Sequence, residues 1–285
     1  MTPFTAAVVQ MRSTTDMAQN ITAMTKLVEE AAAAGATYIQ TPEMTGLVEQ
    51  ERENFFATIK PEDEDPVKEA AQALAAWLNI TLHIGSTPVQ VGERMAANRA
   101  YVFAPTGALL TSYDKIHMFD VDLDNGESWR ESAVYRPGEE AVIVNISGTP
   151  TGLAICYDCR FPALHRDYAQ AGALMLTGPS CFTRQTGQAH WHALLRARAI
   201  ENGAFMVAAA QGGDHADGRT THGHSLIINP WGKVIGEVKG EEPGFALAEI
   251  DPAEALEARA KIPNLKNGRD YELVKVDGET LAAAE

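Results

Sequence analysis

The chain has 285 residues, 45% hydrophobic and 21% charged, enough to bury a sizeable core without covalent staples. A formal net charge of -15 argues against nucleic acid or an anionic membrane as partner. Three cysteines, two of them three apart, make a poor disulfide framework and fit a reducing cytoplasm. No secretion signal or membrane-length apolar stretch is visible.

Phe4–Gln10 reads as a buried strand. Asp16 is placed to cap a helix on which Ile21, Met24, Leu27, Val28 and Ala31 recur at helical spacing, and Gly35 stops it. Thr37–Thr41 is the next predicted strand. The acidic run Glu62-Asp63-Glu64-Asp65 before Pro66 favours a helix that ends near Trp77-Leu78. Thr81–Ser86, Arg99–Ala104 and Ala108–Tyr113 are predicted strands, the last two joined by a turn at Pro105-Thr106-Gly107. Residues 114–140, rich in Asp, Glu and Gly, read as a long functional loop.

Ala141–Ile146 and Gly152–Ile155 are the next predicted strands. A helix over Pro162–Gln170, a strand at Ala173–Thr177 and a helix from Gln188 to Glu201, closed by Asn202-Gly203, follow. Phe205–Ala210, His224–Asn229, Lys233–Val238 and Phe245–Ile250 complete the strands, with Gly212-Gly213 and Gly218 in a flexible loop. Asn229-Pro230-Trp231-Gly232 is a tight turn, and Asp251-Pro252 opens a last helix. The tail from Ile262 is polar and aperiodic. No linker divides the chain, so residues 1–285 are predicted to form one α/β domain, with sheets covered by helices on one face and packed together on the other.

Three reactive groups follow predicted strands. Cys156 ends the apolar run Gly152-Leu153-Ala154-Ile155, Glu43 follows Thr41-Pro42, and Lys115 follows Tyr113-Asp114. Strand exits of an open α/β sheet gather along one rim, where ligands bind. Amide hydrolysis needs a nucleophile, a proton shuttle and oxyanion donors. Cys156 supplies the first, Glu43 the second, and Lys115 with the backbone N–H of Tyr157 the third. No metal or cofactor is required.

Blander and rival readings stand beside this one. Cys156 and Cys159 also match a C-x-x-C redox or half-zinc pattern. His222 and His224 would point to opposite faces of a strand, which disfavours zinc, and His190 and His192 are the other histidine pair. Arg160 is balanced between a substrate carboxylate and an internal ion pair, whereas Arg196 and Arg198 favour the ion pair. Cys159 fits a small packing residue, and residues 178–183 fit a pocket lining.

With these positions in hand, the chain resembles the nitrilase superfamily of carbon–nitrogen hydrolases. The matches are Thr41-Pro42-Glu43, Tyr113-Asp114-Lys115-Ile116-His117, Glu131-Ser132 and Cys156-Tyr157-Asp158-Cys159-Arg160-Phe161-Pro162. Gly187-Gln188-Ala189-His190-Trp191-His192, Leu195–Asn202, Gly223-His224-Ser225 and Asn229-Pro230-Trp231-Gly232 fit its amidase branch, which holds deaminated glutathione amidase and ω-amidase. The resemblance covers roughly residues 4–250.

It implies a Glu-Lys-Cys triad at Glu43, Lys115 and Cys156, with Glu131 as a second carboxylate and Glu127 as its rival. Arg160, Thr183 and His190 are the expected substrate contacts. It further implies a four-layer α-β-β-α sandwich, a homodimer of α-β-β-α-α-β-β-α form or a larger homo-oligomer with the tail from about residue 262 at a subunit interface, and a small amide of 2-oxo acid type as substrate. Cys159 and Cys181 depart from the branch's common residues near the expected pocket, which leaves substrate identity open. The rivals are a nitrile hydrolase, a non-catalytic protein on the same fold, and a thiol–disulfide oxidoreductase.

Overall fold

Strand β1 (Phe4–Gln10) is largely apolar because both of its faces are covered. Ala6 and Val8 face one core while Ala7 and Val9 face another. Helix α1 (Met17–Ala33) begins where Asp16 accepts hydrogen bonds from the Ala18 and Gln19 amides, satisfying donors that the helix leaves free. Then come β2 (Tyr38–Gln40), α2 (Arg52–Thr58) and α3 (Pro66–Leu78), the last with Pro66 in its first turn. Strands β3 (Thr81–Gly92), β4 (Met95–Phe103) and β5 (Leu109–Asp114) form a meander. A small hairpin, β6 (Asp120–Asp122) with β7 (Ser128–Arg130), precedes a 3-10 turn at Glu131–Ala133.

The second half runs through β8 (Ile143–Ile146), β9 (Thr149–Gly152), α4 (Pro162–Gln170), β10 (Met175–Thr177), α5 (Arg184–Asn202) and β11 (Phe205–Ala208). The hairpin β12 (Gly212–Asp214) and β13 (Thr220–His222) follows, then β14 (Leu226–Ile228), β15 (Val234–Glu237), β16 (Gly244–Ile250) and α6 (Pro252–Lys261). This computed structural model describes residues 1–122, 126 and 128–276. Glu127 lies outside the described residues.

Among the described residues, one six-stranded sheet has the order β16-β1-β2-β3-β4-β5 and another the order β15-β14-β11-β10-β9-β8. Each contains three parallel strands, β1-β2-β3 and β9-β10-β11, flanked by antiparallel neighbours. Met24 and Val28 of α1 and Val67 and Leu74 of α3 pack on one face of the first sheet. Its other face, through Val8, Tyr38 and Val102, shares a core with Leu176, Val207 and Ile227 of the second sheet. Leu164 and Tyr168 of α4 and Trp191 and Leu195 of α5 join that core. The layers are therefore α-β-β-α, as expected. Among the described residues, no helix is long and apolar enough to cross a membrane.

Several local expectations are corrected. Strand β9 is Thr149–Gly152 rather than Gly152–Ile155, because Ser147 and Gly148, both at positive φ, turn the chain tightly out of β8. Residues 153–155 are buried because they pass through the core between the sheets, not because they pair as a strand. Helix α5 begins at Arg184, four residues before Gln188. Residues 114–140 contain the β6–β7 hairpin, and the glycine-rich stretch near 212–218 contains the β12–β13 hairpin.

Candidate active site

Glu43 leaves β2 by Thr41-Pro42 and is 3% exposed. That path requires Gly85: a Cβ there would lie 2.1 Å from the Thr41 carbonyl and 2.4 Å from Pro179 Cβ. The same Pro179 accepts the Cys156 backbone N–H at 2.9 Å. The loops carrying the carboxylate and the thiol are thus pressed against one small residue and its neighbour.

Cys156 sits at φ +49, in the left-handed region that non-glycine residues rarely adopt. It opens a 3-10 turn over Cys156–Arg160, and the first N–H groups of such a turn lack internal acceptors. Tyr157 N–H belongs to that set. Asp158, fully buried, fixes the turn. It accepts from Ile155 N at 2.9 Å, Tyr113 Oη at 2.7 Å and His117 N at 3.0 Å, and its Oδ1 lies 2.6 Å from His117 Nδ1. One carboxylate therefore ties the nucleophile turn to the segment that carries Lys115.

Lys115 is 2% exposed, and its Nζ donates to Glu43 Oε1 at 3.0 Å and to the Glu131 oxygens at 2.9 and 2.8 Å. Burial alone would depress its ammonium, but Glu131 and Glu43, with Cys156, overcome that and raise it well above the ordinary lysine value. Burial pushes the Cys156 thiol well up. The Glu43 carboxylate adds to this, and Lys115 opposes it. The resting sulfur is therefore a protonated thiol. Glu43 Oε2 also accepts the Cys181 backbone N–H at 2.7 Å. Asn98, fully buried on β4, donates to Glu43 at 2.9 Å and to Glu131 at 3.2 Å.

Glu43, Lys115, Glu131, Cys156 and Cys181 line a cavity of about 290 Å³ that also takes in Tyr157, Arg160 and Thr183. Arg52, Arg130, Arg160 and Arg219 converge on it, so a pocket rich in guanidinium groups sits in a chain of net charge -15. Of the residues singled out in the sequence, Glu43, Lys115, Cys156, Glu131, Tyr157, Arg160 and Thr183 all line this one cavity.

His190 is different. It lies on an exposed part of α5 and reaches the site only through Arg160, whose Nη2 is 3.3 Å from His190 Nδ1. Among the two cysteines expected near the pocket, Cys181 lines it, whereas Cys159 is buried away from it. Arg198 pairs with Glu201 at 2.6 Å, as anticipated, while Arg196 Nε donates to the Gly232 carbonyl at 2.8 Å. The imidazoles of His222 and His224 do not point apart. Gly223 and His224, at φ +69 and +55, break the strand, and the two rings stack with centroids 4.7 Å apart.

Asn98 and Asp158 escaped the reading of the sequence. Asp158 carried a readable signal, an acid two residues past the thiol in an otherwise apolar exit. Asn98 carried none, since a strand asparagine has no marker until its neighbours across the site are known.

Fold and site together define a hydrolase with a buried cysteine, an ammonium and two carboxylates around one cavity. The chain belongs to the carbon-nitrogen hydrolase family, whose sequence profile matches residues 5–260. It is 38% identical over 275 residues to a deaminated glutathione amidase of Synechocystis, covering 94% of this chain and 98% of that one. The NitFhit protein of C. elegans superposes with a TM-score of 0.86 at 32% identity, covering 94% of this chain and 65% of its own. An amidase mutant from Nesterenkonia, bearing the acetamide moiety of fluoroacetamide on its active-site cysteine, superposes with a TM-score of 0.77 at 25% identity, covering 91% and 95%.

Proposed function

We propose that this protein is a metal-free thiol amidase that cleaves a small, carboxylate-bearing amide of 2-oxo acid type to acid and ammonia. The carrying observation is the contact of Lys115 Nζ with both Glu43 and Glu131 in the cavity that Cys156 lines. Because the thiol is protonated at rest, its proton passes to Glu43 as sulfur attacks the carbonyl carbon. The carbonyl oxygen takes up the electron pair and accepts hydrogen bonds from Lys115 Nζ and Tyr157 N–H. Glu43 returns the proton to nitrogen, the C–N bond breaks, and ammonia leaves a thioester on Cys156. Water, giving a proton to Glu43, then attacks the thioester, and the proton returns to sulfur as the acid departs. Glu131 and Asn98 hold Lys115 and Glu43 in place throughout.

The arginines at the cavity support the acidic substrate, and the Synechocystis relative's name points to a deaminated glutathione-like amide. The adduct on the Nesterenkonia cysteine supports the nucleophile. We also place the protein in the cytoplasm as a homodimer joined through the α4/α5 layer. Half-exposed Ile200 and Trp231 support that surface, as do the exposed Tyr271, Leu273, Val274 and Val276 of the tail.

The test is ammonia release from deaminated glutathione, 2-oxoglutaramate, 2-oxosuccinamate and simple aliphatic amides, run beside matched nitriles. Turnover of an acidic amide that is abolished in folded Cys156→Ala is expected. Near-normal turnover in that variant, or a preference for nitriles, would refute the reading.

A further inference from the structure

Outside the catalytic cavity, three side chains converge from separate elements: His192 of α5, His224 of the turn between β13 and β14, and Glu237 at the end of β15. One ligand atom from each lies within 4.8 Å of the other two. Glu237 Oε1 is 2.9 Å from His224 Nδ1 and 3.4 Å from His192 Nε2. Ligand atoms around tetrahedral zinc stand about 3.4 Å apart, given metal–ligand bonds near 2.0–2.1 Å. The carboxylate is thus already placed against both imidazoles.

A fourth side chain packs against these ligands. His222 stacks on His224 and meets His192 edge-on at 6.4 Å between centroids, and it is 8% exposed. Its buried Nε2 has no hydrogen-bond partner among the described residues.

We infer that His192, His224 and Glu237 form a binding site for a first-row divalent cation, zinc being the reference ion, with the His222 ring packed behind it. Two nitrogens and a carboxylate oxygen suit zinc and its neighbours rather than calcium or magnesium. The left-handed backbone at Gly223 and His224 is what turns the second imidazole toward the first element's ligand. The ion would clamp α5 to the β13–β14 turn and to β15. No step of amide cleavage runs through it, so this inference and the amidase reading fail independently.

The test uses the full-length chain carrying Cys156→Ser, which removes the catalytic thiol as a competing ligand. Zinc is titrated by calorimetry and cobalt by absorption. The expected result is one zinc per chain, a cobalt spectrum without sulfur-to-metal charge transfer, and a rise in Tm on zinc saturation. Added Glu237→Gln or His192→Ala should weaken binding at least about tenfold and abolish the Tm rise. His192→Gln replaces His192→Ala should the latter not fold. Absence of saturable binding, full affinity in either variant, or a thiolate band in the cobalt spectrum would each overturn the assignment.

Discussion

Replacing Glu131 by glutamine separates charge from shape at the centre of the site. The carboxylate accepts from Lys115 Nζ at 2.9 and 2.8 Å, from Asn98 Nδ2 at 3.2 Å and from Phe119 N at 2.6 Å. An amide offers one oxygen to these donors and turns its own N–H groups toward the rest. Removing one side of a buried ion pair costs about 3–5 kcal/mol, and a hydrogen bond to a charged group is worth about 1.5–3 kcal/mol. Lys115 keeps Glu43 as a partner, so the lower end applies, about 3 kcal/mol. If that loss falls on oxyanion stabilisation, kcat/KM drops about 100-fold at about 1.4 kcal/mol per decade, chiefly through kcat. Steady-state ammonia release measures it, with circular dichroism to confirm the fold. A Glu131→Gln enzyme within about threefold of the parent in kcat/KM, with unchanged Tm, would refute the reasoning.

Gly85→Ala should destabilise the protein by about 1–3 kcal/mol or more and lower kcat, since its Cβ would meet the Thr41 and Pro42 carbonyls; a melting curve and rate equal to the parent's would contradict this. Arg160→Lys should raise KM for acidic amides about tenfold while leaving a neutral aliphatic amide unaffected, because lysine lacks the planar fork; equal KM for the acidic amide would remove Arg160 from substrate binding. Burial pushes His165 down to about 4, so the unfolded chain takes up a proton that the fold refuses. The stability from this histidine is present above its ordinary value near 6.5 and is lost as pH falls toward about 4. At pH 5 the loss is about 2 kcal/mol relative to pH 7. In urea titrations at the two pH values, the pH-dependent loss should shrink by that amount in His165→Gln, and an unaltered loss would count against it.

The sandwich was legible because its parallel strands are buried on both faces and so read as apolar runs, as in Phe4–Gln10 and Phe205–Ala208. Helix starts were legible where side chains cap them, at Asp16 and at Asp65-Pro66. Glu43 follows the buried strand β2, Lys115 follows the half-exposed edge strand β5, and Cys156 follows a buried run that is not a strand, so each was marked by a reactive group at the end of a predicted strand. Strand β9 was misplaced because hydrophobicity marks burial, and Leu153-Ala154-Ile155 are buried in the core between the sheets rather than by strand pairing. Helix α2 and the hairpins β6–β7 and β12–β13 are short and polar, so they carry little periodicity. The facing of His222 and His224 depends on two residues at positive φ, one of them a non-glycine that no local rule assigns there.

The antiparallel match of β1 with β16 joins Phe4 to Ile250 and Gln10 to Gly244. A ribosome making about 5–20 residues per second therefore leaves that flank of the amino-terminal strand bare for about 12–50 s. During this interval its main-chain donors and acceptors form an open template for another nascent polypeptide. A premature stop ahead of residue 244 would make the interval permanent, so such fragments should accumulate as aggregates rather than as weakened enzyme.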